Sequence, residues 1–298
     1  MQSFLILSTR GGWKRPILAD VTGREDREVY FRTNGINTYD SCSIMWQNNW
    51  YMFGSGNQVI ELSSCELRQI GRLPFTFSQG ACTVTNDENI YLCFSTEEYK
   101  LCRILSDPLG NATEVIDSIY DHKIITIAAG EGNLSFIFIS RMLFLEEILA
   151  VGSNNPKHAH AELLRLDRMQ WHAISDYPWH ANGALSHHST VYLKGFYYIF
   201  GGWDGSVPMK RIGRLDAITT TWKSMGDMAH ARYGHTTLWT GNEFLTVGGQ
   251  QDSLWTVRCW FEGEGMACKC FTPQLSQWGL WPQVILVEDD YCQFWPNC

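Results

Sequence analysis

A pattern of sixteen residues recurs along this chain, and it constrains the fold more than any other feature of the sequence. In each copy a small residue and an apolar segment are followed by turn-forming residues and a second apolar segment, and three of the four copies end in Gly-Gly or Gly-Ser. Such a pattern is typical of a β-hairpin. The copies are DSCSIMWQNNWYMFGS from Asp40, GACTVTNDENIYLCFS from Gly80, HHSTVYLKGFYYIFGG from His187 and GHTTLWTGNEFLTVGG from Gly234.

Two weaker copies complete the series. The interval between the second and third copies is about twice the others, so one further copy is expected inside it. There, Ile124–Ala129 and Ile148–Ser153 are the predicted strands, with an enlarged turn over residues 130–147. The last copy, WPQVILVEDDYCQF from Trp281, reads as strand, acidic turn, strand. We therefore predict six hairpins, starting near residues 40, 80, 122, 187, 234 and 281.

A second motif follows the hairpins and is specific enough to suggest a family. The motif has two full copies, LDAITTTW over Leu215–Trp222 and FTPQLSQW over Phe271–Trp278. The same part of the chain also contains the diglycines Gly201-Gly202 and Gly248-Gly249 and the Arg-Tyr-Gly-His segment from Arg232. On these residues the chain resembles the kelch-repeat family, whose pattern is a diglycine, an aromatic residue and a tryptophan seven positions later. The resemblance covers about residues 36–298, with departures such as Phe94-Ser95 in place of a diglycine.

The kelch resemblance implies an all-β fold, and we expect a single domain over residues 1–298 that forms a six-bladed kelch-type β-propeller. The sixth hairpin is followed by too few residues to provide its outer strands. We therefore predict that Ile17–Val21 and Glu28–Arg32, within residues 1–35, complete the last blade. The repeated tryptophans Trp171, Trp222 and Trp278 are expected to pack between adjacent blades, and His235 is expected to be structural.

The charge balance disfavours two classes of partner. The chain has 31 acidic against 23 basic residues and a formal charge of −8, which repels nucleic acid and anionic membrane surfaces. No apolar run approaches the roughly 20 residues that a membrane span needs. We expect neither nucleic acid binding nor membrane insertion.

Cysteine usage and two glycosylation sequons favour an oxidising compartment. The chain has ten cysteines, and the sequons begin at Asn111 and Asn133. We therefore expect a secreted glycoprotein with disulfide bonds. The apolar segment Phe4–Leu7 is too short for the core of a signal peptide, so a cytoplasmic protein with reduced thiols is the alternative. Cys42 and Cys82 occupy the same column of successive hairpins, but the sequence does not determine the disulfide connectivity.

No motif of catalysis or cofactor binding is evident. The sequence contains no phosphate-binding loop, dinucleotide fingerprint or nucleophile elbow. His158 and His160 would share one face of an extended segment, as two metal ligands require, but no third ligand is nearby. Cys259, Cys268 and Cys270 lack paired Cys-x-x-Cys spacing, which favours disulfides over metal. We expect no metal and no cofactor, and an enzyme is the less favoured class.

The resemblance also implies where a binding site would lie. In kelch domains that recognise peptides, the segments after the diglycine and before the next hairpin share one face around the central channel. The corresponding residues are Asn154, Asn155, Trp203, Asp204, Gln250 and Gln251, with His230 and Arg232 from the entering loops. We expect a non-catalytic module that binds a protein or peptide, of unknown identity, through these loops. The alternative is a glycan-active enzyme or lectin whose Trp203, Trp255 and Trp260 stack on sugar rings.

Overall fold

The fold is built from β-strands. A computed structural model describes residues 2–7, 17–20, 26–28, 34, 36, 38, 41–54, 56–63, 65–95, 97–123, 125–132, 145–155, 157, 160–179, 183–250, 256–271 and 282–288. In this part of the chain 24 strands form six four-stranded sheets, in which neighbouring strands are antiparallel.

Five of these sheets, which we call blades 1 to 5, each consist of four strands that follow one another along the chain. Three strands precede them: β1 (Gln2–Leu7), β2 (Ile17–Asp20) and β3 (Asp26–Glu28). Blade 1 contains β4 (Cys42–Trp46), β5 (Asn49–Gly54), β6 (Gly56–Ser63) and β7 (Glu66–Phe77). Blade 2 contains β8 (Ala81–Val84), β9 (Ile90–Ser95), β10 (Glu98–Leu105) and β11 (Glu114–Asp117). Blade 3 contains β12 (Ile127–Gly132), β13 (Leu145–Val151), β14 (Ala161–Arg165) and β15 (Gln170–Ile174). Blade 4 contains β16 (Ser189–Leu193), β17 (Phe196–Trp203), β18 (Pro208–Asp216) and β19 (Trp222–Asp227). Blade 5 contains β20 (Tyr233–Trp239), β21 (Phe244–Gln250), β22 (Thr256–Glu262) and β23 (Gly265–Phe271), and β24 (Gln283–Glu288) follows it.

The four clear sequence repeats are confirmed as hairpins, each forming the first two strands of a blade. Their turns have the chemistry that the sequence indicates: Gln47 and Asn48 adopt positive φ of 47° and 63°, which matches a two-residue hairpin turn of type I′. The weaker hairpin of blade 3 is also present, but its first strand begins at Ile127 rather than Ile124. The residues between β12 and β13 lie outside the described part of the chain.

The chain ends come together in a sheet that the repeats did not fully predict. We call it the composite sheet, and its strand order is β24-β1-β2-β3. The predicted strand Ile17–Val21 corresponds to β2, whereas β3 covers Asp26–Glu28 instead of Glu28–Arg32. The strand next to β24 is Gln2–Leu7, to which the sequence analysis assigned no role. This segment is strongly apolar and suits the interior of a sheet. Residues 291–294, the predicted second strand of the last hairpin, lie outside the described residues.

Large aromatic side chains fill the spaces between blades. The second strands of blades 2, 4 and 5 are buried along almost their whole length, because a neighbouring blade covers each face. Trp171 of blade 3 is 4% exposed, and its ring centroid lies 5.8 Å from that of Phe94 in blade 2. Trp222 donates its Nε1–H to the carbonyl of Ser175, in the connection from blade 3, at 2.7 Å. The predicted packing is confirmed for these two residues, and Trp278 lies outside the described part of the chain.

The first strands of successive blades lie side by side around a shared cavity, so the architecture is a β-propeller. The five junctions that follow one another from blade 1 to the start of β24 each have a specific bond. In chain order these are the Cys42–Cys82 disulfide, Ala129 N to Thr83 Oγ1 at 3.2 Å, Thr126 Oγ1 to Thr190 Oγ1 at 2.9 Å, Thr237 N to Ser189 Oγ at 2.9 Å, and Thr236 Oγ1 to the Pro282 carbonyl at 2.6 Å.

Three disulfides join pairs of described cysteines, and Cys65 is disulfide-bonded as well. Cys42–Cys82 connects two blades, whereas Cys93–Cys102 and Cys259–Cys268 each join directly opposite residues of paired strands within one blade. Three disulfides are compatible with secretion. In the described part of the chain, no helix has the length and apolar character needed to cross a membrane.

Candidate binding site

A central cavity of about 390 Å³ opens where the first strands of the blades meet. Its lining comes from every blade and from the composite sheet, through residues 41–43, 79–82, 125–127, 187–190 and 234–237 and Pro282. None of these described lining residues is Asp, Glu, Lys or Arg; the polar groups are chiefly Ser and Thr hydroxyls and imidazoles. The cavity is therefore uncharged and offers both polar and apolar surface.

Three histidines contribute to the cavity wall, and burial keeps them neutral. Burial lowers the pKa of His187 to about 4. Burial, with smaller contributions from His187 and His122, lowers the pKa of His188 to about 3. The pKa of His235 is also well below its ordinary value, because the ring is buried and Arg232 is nearby. At neutral pH these imidazoles therefore offer hydrogen-bonding atoms rather than positive charge.

A group of side chains at one end of the cavity forms what we call the aromatic rim: His187, Trp203, Tyr233 and Gln250. The Tyr233 ring centroid lies 5.0 Å from that of Trp203 and 5.6 Å from that of His187. The hydroxyl of Tyr233 donates a hydrogen bond to the side-chain oxygen of Gln250. The three rings are half-buried and Gln250 is exposed. Because His187 also lines the cavity, the aromatic rim connects the cavity to solvent.

The diglycine of blade 4 positions Trp203 in this rim. Gly201 and Gly202 have φ of 52° and 108°, a region that residues with a side chain rarely adopt. A Cβ atom on Gly202 would lie 2.8 Å from the Ser186 carbonyl oxygen and 2.9 Å from His188 Cβ. The close approach lets Trp203 N donate to Ser186 O at 2.8 Å, while Ser186 N donates to Trp203 O at 3.0 Å. The end of β17 is thereby fixed against the start of β16.

Two residues that the sequence analysis placed on the binding face are buried. Asp204 is 2% exposed, and its Oδ1 accepts hydrogen bonds from the backbone N–H groups of Ser206 and Val207 at 2.8 Å each. Arg232 is fully buried, and its Nη1 donates to the Gly248 carbonyl at 3.1 Å. These side chains shape the loops that carry the aromatic rim; they do not form its surface.

The other predicted residues lie at different places on the loops. Asn155 is exposed, and its Oδ1 accepts the Lys157 N–H at 3.1 Å, while the half-buried Asn154 donates its N–H to the Lys123 carbonyl at 3.2 Å. Both lie in the connection between β13 and β14 of blade 3, in a different sector from the aromatic rim. His230 is half-buried in the connection from β19 to β20, and Gln251 lies outside the described residues.

The geometry of the described residues gives little support to a metal site at His160 or to sugar binding at Trp260. His160 Nδ1 faces the Asp176 carboxylate at 3.2 Å and its ring packs on Tyr120, whereas His158 lies outside the described residues. Among the residues that the structure describes, no group of three or more His, Cys, Asp or Glu side chains could hold a metal ion. The predicted preference for disulfides is confirmed for Cys259 and Cys268. Trp260 is half-buried with the Lys269 ammonium 5.7 Å from its ring, and Trp255 is not among the described residues.

Sequence reasoning missed two members of the aromatic rim. Tyr233 belongs to the Arg-Tyr-Gly-His segment, which was attributed entirely to the repeat, and His187 was attributed to the start of a strand. One signal was available in the sequence. Each of these two residues immediately precedes a short run of small or polar residues, at the start of a hairpin repeat, that lines the cavity.

Comparison with known proteins supports the same interpretation of the repeats. No family model matches the chain. Kelch-like protein 36 from Bos taurus is 28% identical over 135 residues, which cover 44% of this chain and 21% of that protein. The chain thus matches about a fifth of the length of this relative. Together with the diglycines, the tryptophans between blades and the propeller architecture, this similarity supports a kelch-repeat β-propeller.

Proposed function

We propose that this chain is a non-catalytic, extracellular binding module that recognises a protein or peptide at the aromatic rim. The observation that carries the proposal is the half-buried group of Trp203, Tyr233 and His187 beside an uncharged cavity. Trp and Tyr are enriched among residues that dominate binding energy, because they offer a large apolar area with little conformational freedom to lose.

The chemistry of the aromatic rim favours a particular class of ligand. The cavity lining carries no charge and its imidazoles are neutral, so a strongly charged side chain would lose hydration there without a countercharge. An apolar or uncharged polar side chain would instead pack on the rings and use the hydroxyls and Gln250 as hydrogen-bonding partners. The proposed ligand is therefore a peptide segment that inserts an uncharged side chain toward the cavity.

The predicted residues then divide into two roles. Trp203, Gln250 and His230 form the contact surface, and the exposed Asn155 and half-buried Asn154 extend it toward blade 3. Gln251, which lies outside the described residues, is assigned to the same surface from the sequence alone. Asp204 and Arg232, being buried, hold the loops in place. Such support for contact residues by buried polar groups is common in binding sites built on rigid scaffolds.

We further infer that the composite sheet is the sixth blade and closes the ring. On one side, Thr236 of blade 5 donates its hydroxyl to the Pro282 carbonyl just before β24. On the other side, Leu7 of β1 is 2% exposed and belongs to the apolar cluster of Met52 and Ile60 in blade 1. Closure would keep the loops of the binding face in a fixed arrangement and remove exposed sheet edges.

An extracellular location is supported by the three disulfides and by the exposure of Asn111, which starts a sequon between β10 and β11. The test is to secrete the protein from an animal cell line behind an added signal peptide. We expect a glycan mass that N-glycosidase removes and that falls when Asn111 is replaced by Gln. Retention in the cell, or secretion without a glycan at Asn111, would favour the cytoplasmic alternative.

The binding proposal is tested by selecting peptides from a displayed random library on the folded protein and measuring their affinities by calorimetry. Trp203→Ala should weaken selected peptides by about tenfold to a hundredfold, since truncating a central aromatic residue removes roughly 2 kcal/mol or more. Trp260→Ala, in the third strand of blade 5, is the matched control and should leave the affinity unchanged. Peptides that bind Trp203→Ala and wild type equally would contradict the proposal, and binding to a glycan array that Trp203→Ala or Trp260→Ala abolishes would favour a lectin.

A further inference from the structure

The wall of the central cavity contains a disulfide that joins two different blades. Cys42 is the first residue of β4 and Cys82 lies in β8, and their Cα atoms are 5.9 Å apart. Both residues are half-buried and both line the cavity. We propose that Cys42–Cys82 is a thiol–disulfide exchange site that small monothiols, of the size of glutathione, reach through the central cavity.

The other two described disulfides are placed differently. Cys93 and Cys102 are both fully buried in the apolar cluster that contains Tyr91 and Trp171. Cys259 is likewise fully buried, in the cluster between blades 4 and 5, and its half-buried partner Cys268 packs against that cluster. Exchange requires a thiolate to approach a sulfur atom along the S–S axis, so access determines which disulfide reacts in the folded protein. Only Cys42–Cys82, among the three, has both residues on the cavity wall.

The cavity suits an attacking group of modest size. Its described lining carries no carboxylate that would repel a thiolate, and hydroxyls from Ser41 and Ser43 flank Cys42. The volume of about 390 Å³ falls within the range of about 300–1,000 Å³ that is common for small-molecule sites. A tripeptide thiol can therefore enter, whereas a folded protein or a long polymer cannot.

The exchange balances with two monothiols. The first thiolate attacks one cysteine Sγ, the S–S bond breaks, and the electron pair leaves on the other Sγ, which takes up a proton from water. The product is a mixed disulfide on one cysteine and a free thiol on the other. A second thiolate attacks the sulfur of the bound monothiol and releases the remaining cysteine as a thiol. Overall, one protein disulfide is reduced to two thiols and two monothiols are oxidised to their disulfide.

Reduction would loosen only one end of the junction between blades 1 and 2. At the far end of β4, Trp46 donates its Nε1–H to the Glu88 carbonyl and Gln47 donates to the Glu88 carboxylate, each at 2.8 Å. At the cavity end, the disulfide takes the place of the hydrogen bonds that connect the other first strands. The exchange therefore acts on the shape of the cavity and leaves the blades packed together.

The test measures the rate of exchange at each disulfide in the native protein. The protein is incubated with glutathione, quenched by alkylation, unfolded, and then reduced and alkylated with a second reagent, so that peptide mapping reports each cysteine. We expect Cys42 and Cys82 to react at least about tenfold faster than Cys93, Cys102, Cys259 and Cys268, because buried disulfides exchange only after local opening. We also expect a glutathione adduct on Cys42 or Cys82, and equal rates once the protein is unfolded in guanidinium chloride.

Three results would overturn the proposal. The first is reduction of Cys93–Cys102 or Cys259–Cys268 as fast as Cys42–Cys82. The second is the presence of Cys42 and Cys82 as thiols in protein prepared under oxidising conditions. The third is equally fast reaction with a polymer-linked thiol too large for the cavity, which would show that the sulfur atoms are reached from elsewhere. A double variant, Cys42→Ser with Cys82→Ser, is the control, and it should lose the fast phase and the adduct.

Discussion

His122 Nε2 lies 2.7 Å from Glu162 Oε1, and both side chains are completely buried. The other ring nitrogen of His122 lies 2.7 Å from the Gly152 carbonyl oxygen, and the Glu162 carboxylate also accepts the backbone N–H groups of Ile119 and Tyr120. The pair thereby fastens the connection that leads from blade 2 into blade 3 onto strand β14. Through its contact with Gly152, the pair also stabilises the loop that contains Asn154 and Asn155.

Replacing Glu162 by Gln should destabilise the protein strongly. The carboxylate accepts from the His122 ring and from two backbone N–H groups, whereas glutamine has one acceptor oxygen and an NH2 group that donates. The change therefore breaks a buried pair, which typically lowers the free energy of unfolding by about 3–5 kcal/mol. The exposed pair of His160 and Asp176 provides the control, because Asp176→Asn should lower the free energy of unfolding by less than about 1 kcal/mol. Urea denaturation of both variants measures the difference, and equal effects would show that the buried pair has no special role.

Gly202→Ala should disturb the fold around Trp203. The new Cβ would lie 2.8 Å from the Ser186 carbonyl oxygen, on a backbone with φ of 108°. Steric overlap adds about 1–3 kcal/mol to the unfavourable backbone conformation. Gly195→Ala is the matched control, since Gly195 also has positive φ, 86°, but nothing lies within 4 Å of its added Cβ. Thermal melting should rank Gly202→Ala well below Gly195→Ala, and the reverse order would contradict the account of the diglycine.

Acidification should destabilise the fold through the cavity histidines. Burial lowers the pKa of His188 to about 3 in the folded protein, so between that value and its ordinary value the unfolded chain binds the additional proton. The free energy of unfolding is therefore highest above the ordinary pKa of histidine and decreases as the pH falls. His188 alone contributes a decrease on the order of 2 kcal/mol between pH 7 and pH 5.

Denaturation across that pH range measures the slope of stability against pH. His188→Gln is expected to reduce the slope, because the variant has one fewer group that takes up a proton on unfolding. A slope that His188→Gln leaves unchanged would mean that other buried histidines, such as His187 and His235, account for the whole effect.

The composite sheet should be essential to the stability of the propeller. Leu5 occupies the middle of β1 and pairs with Leu18 on one side and Ile285 on the other. Leu5→Pro would remove a ladder hydrogen bond and strain the strand, lowering the melting temperature by roughly 6–12 °C for a penalty of about 3 kcal/mol. Leu5→Val preserves the strand and should have a much smaller effect. A melting temperature that the proline leaves unchanged would show that β1 is not an integral strand.

The sequence predicted the features that depend on residues close together in the chain. The hairpins starting at Asp40 and His187 were predictable because turn residues such as Asn48 and Gly195 are placed by short-range rules, and the period of the repeat indicated the fold. The pairing of Gln2–Leu7 with Gln283–Glu288 was not predictable, because it joins opposite ends of the chain and neither strand bears the repeat motif.

The candidate site was predicted only in part, for a related reason. Trp203 follows a diglycine, and the structure places it at the end of β17 rather than in a loop. Asp204 and Arg232 are polar residues next to it that a sequence suggests are exposed, but hydrogen bonds to Ser206 and to the Gly248 carbonyl allow both to be buried. Such satisfied burial depends on the three-dimensional course of the loops and leaves no mark in the sequence.

The central claim is that ligands bind at the aromatic rim, and hydrogen exchange tests it most directly. Amide exchange of the protein would be measured by mass spectrometry with and without a saturating selected peptide. The account predicts slower exchange in residues 203–207 and 228–233 and at Gln250, with little change in the turns at 47–48, 194–195 and 240–243 at the other ends of the strands. Protection of those turns, with exchange around Trp203 and Tyr233 unaltered, would contradict it.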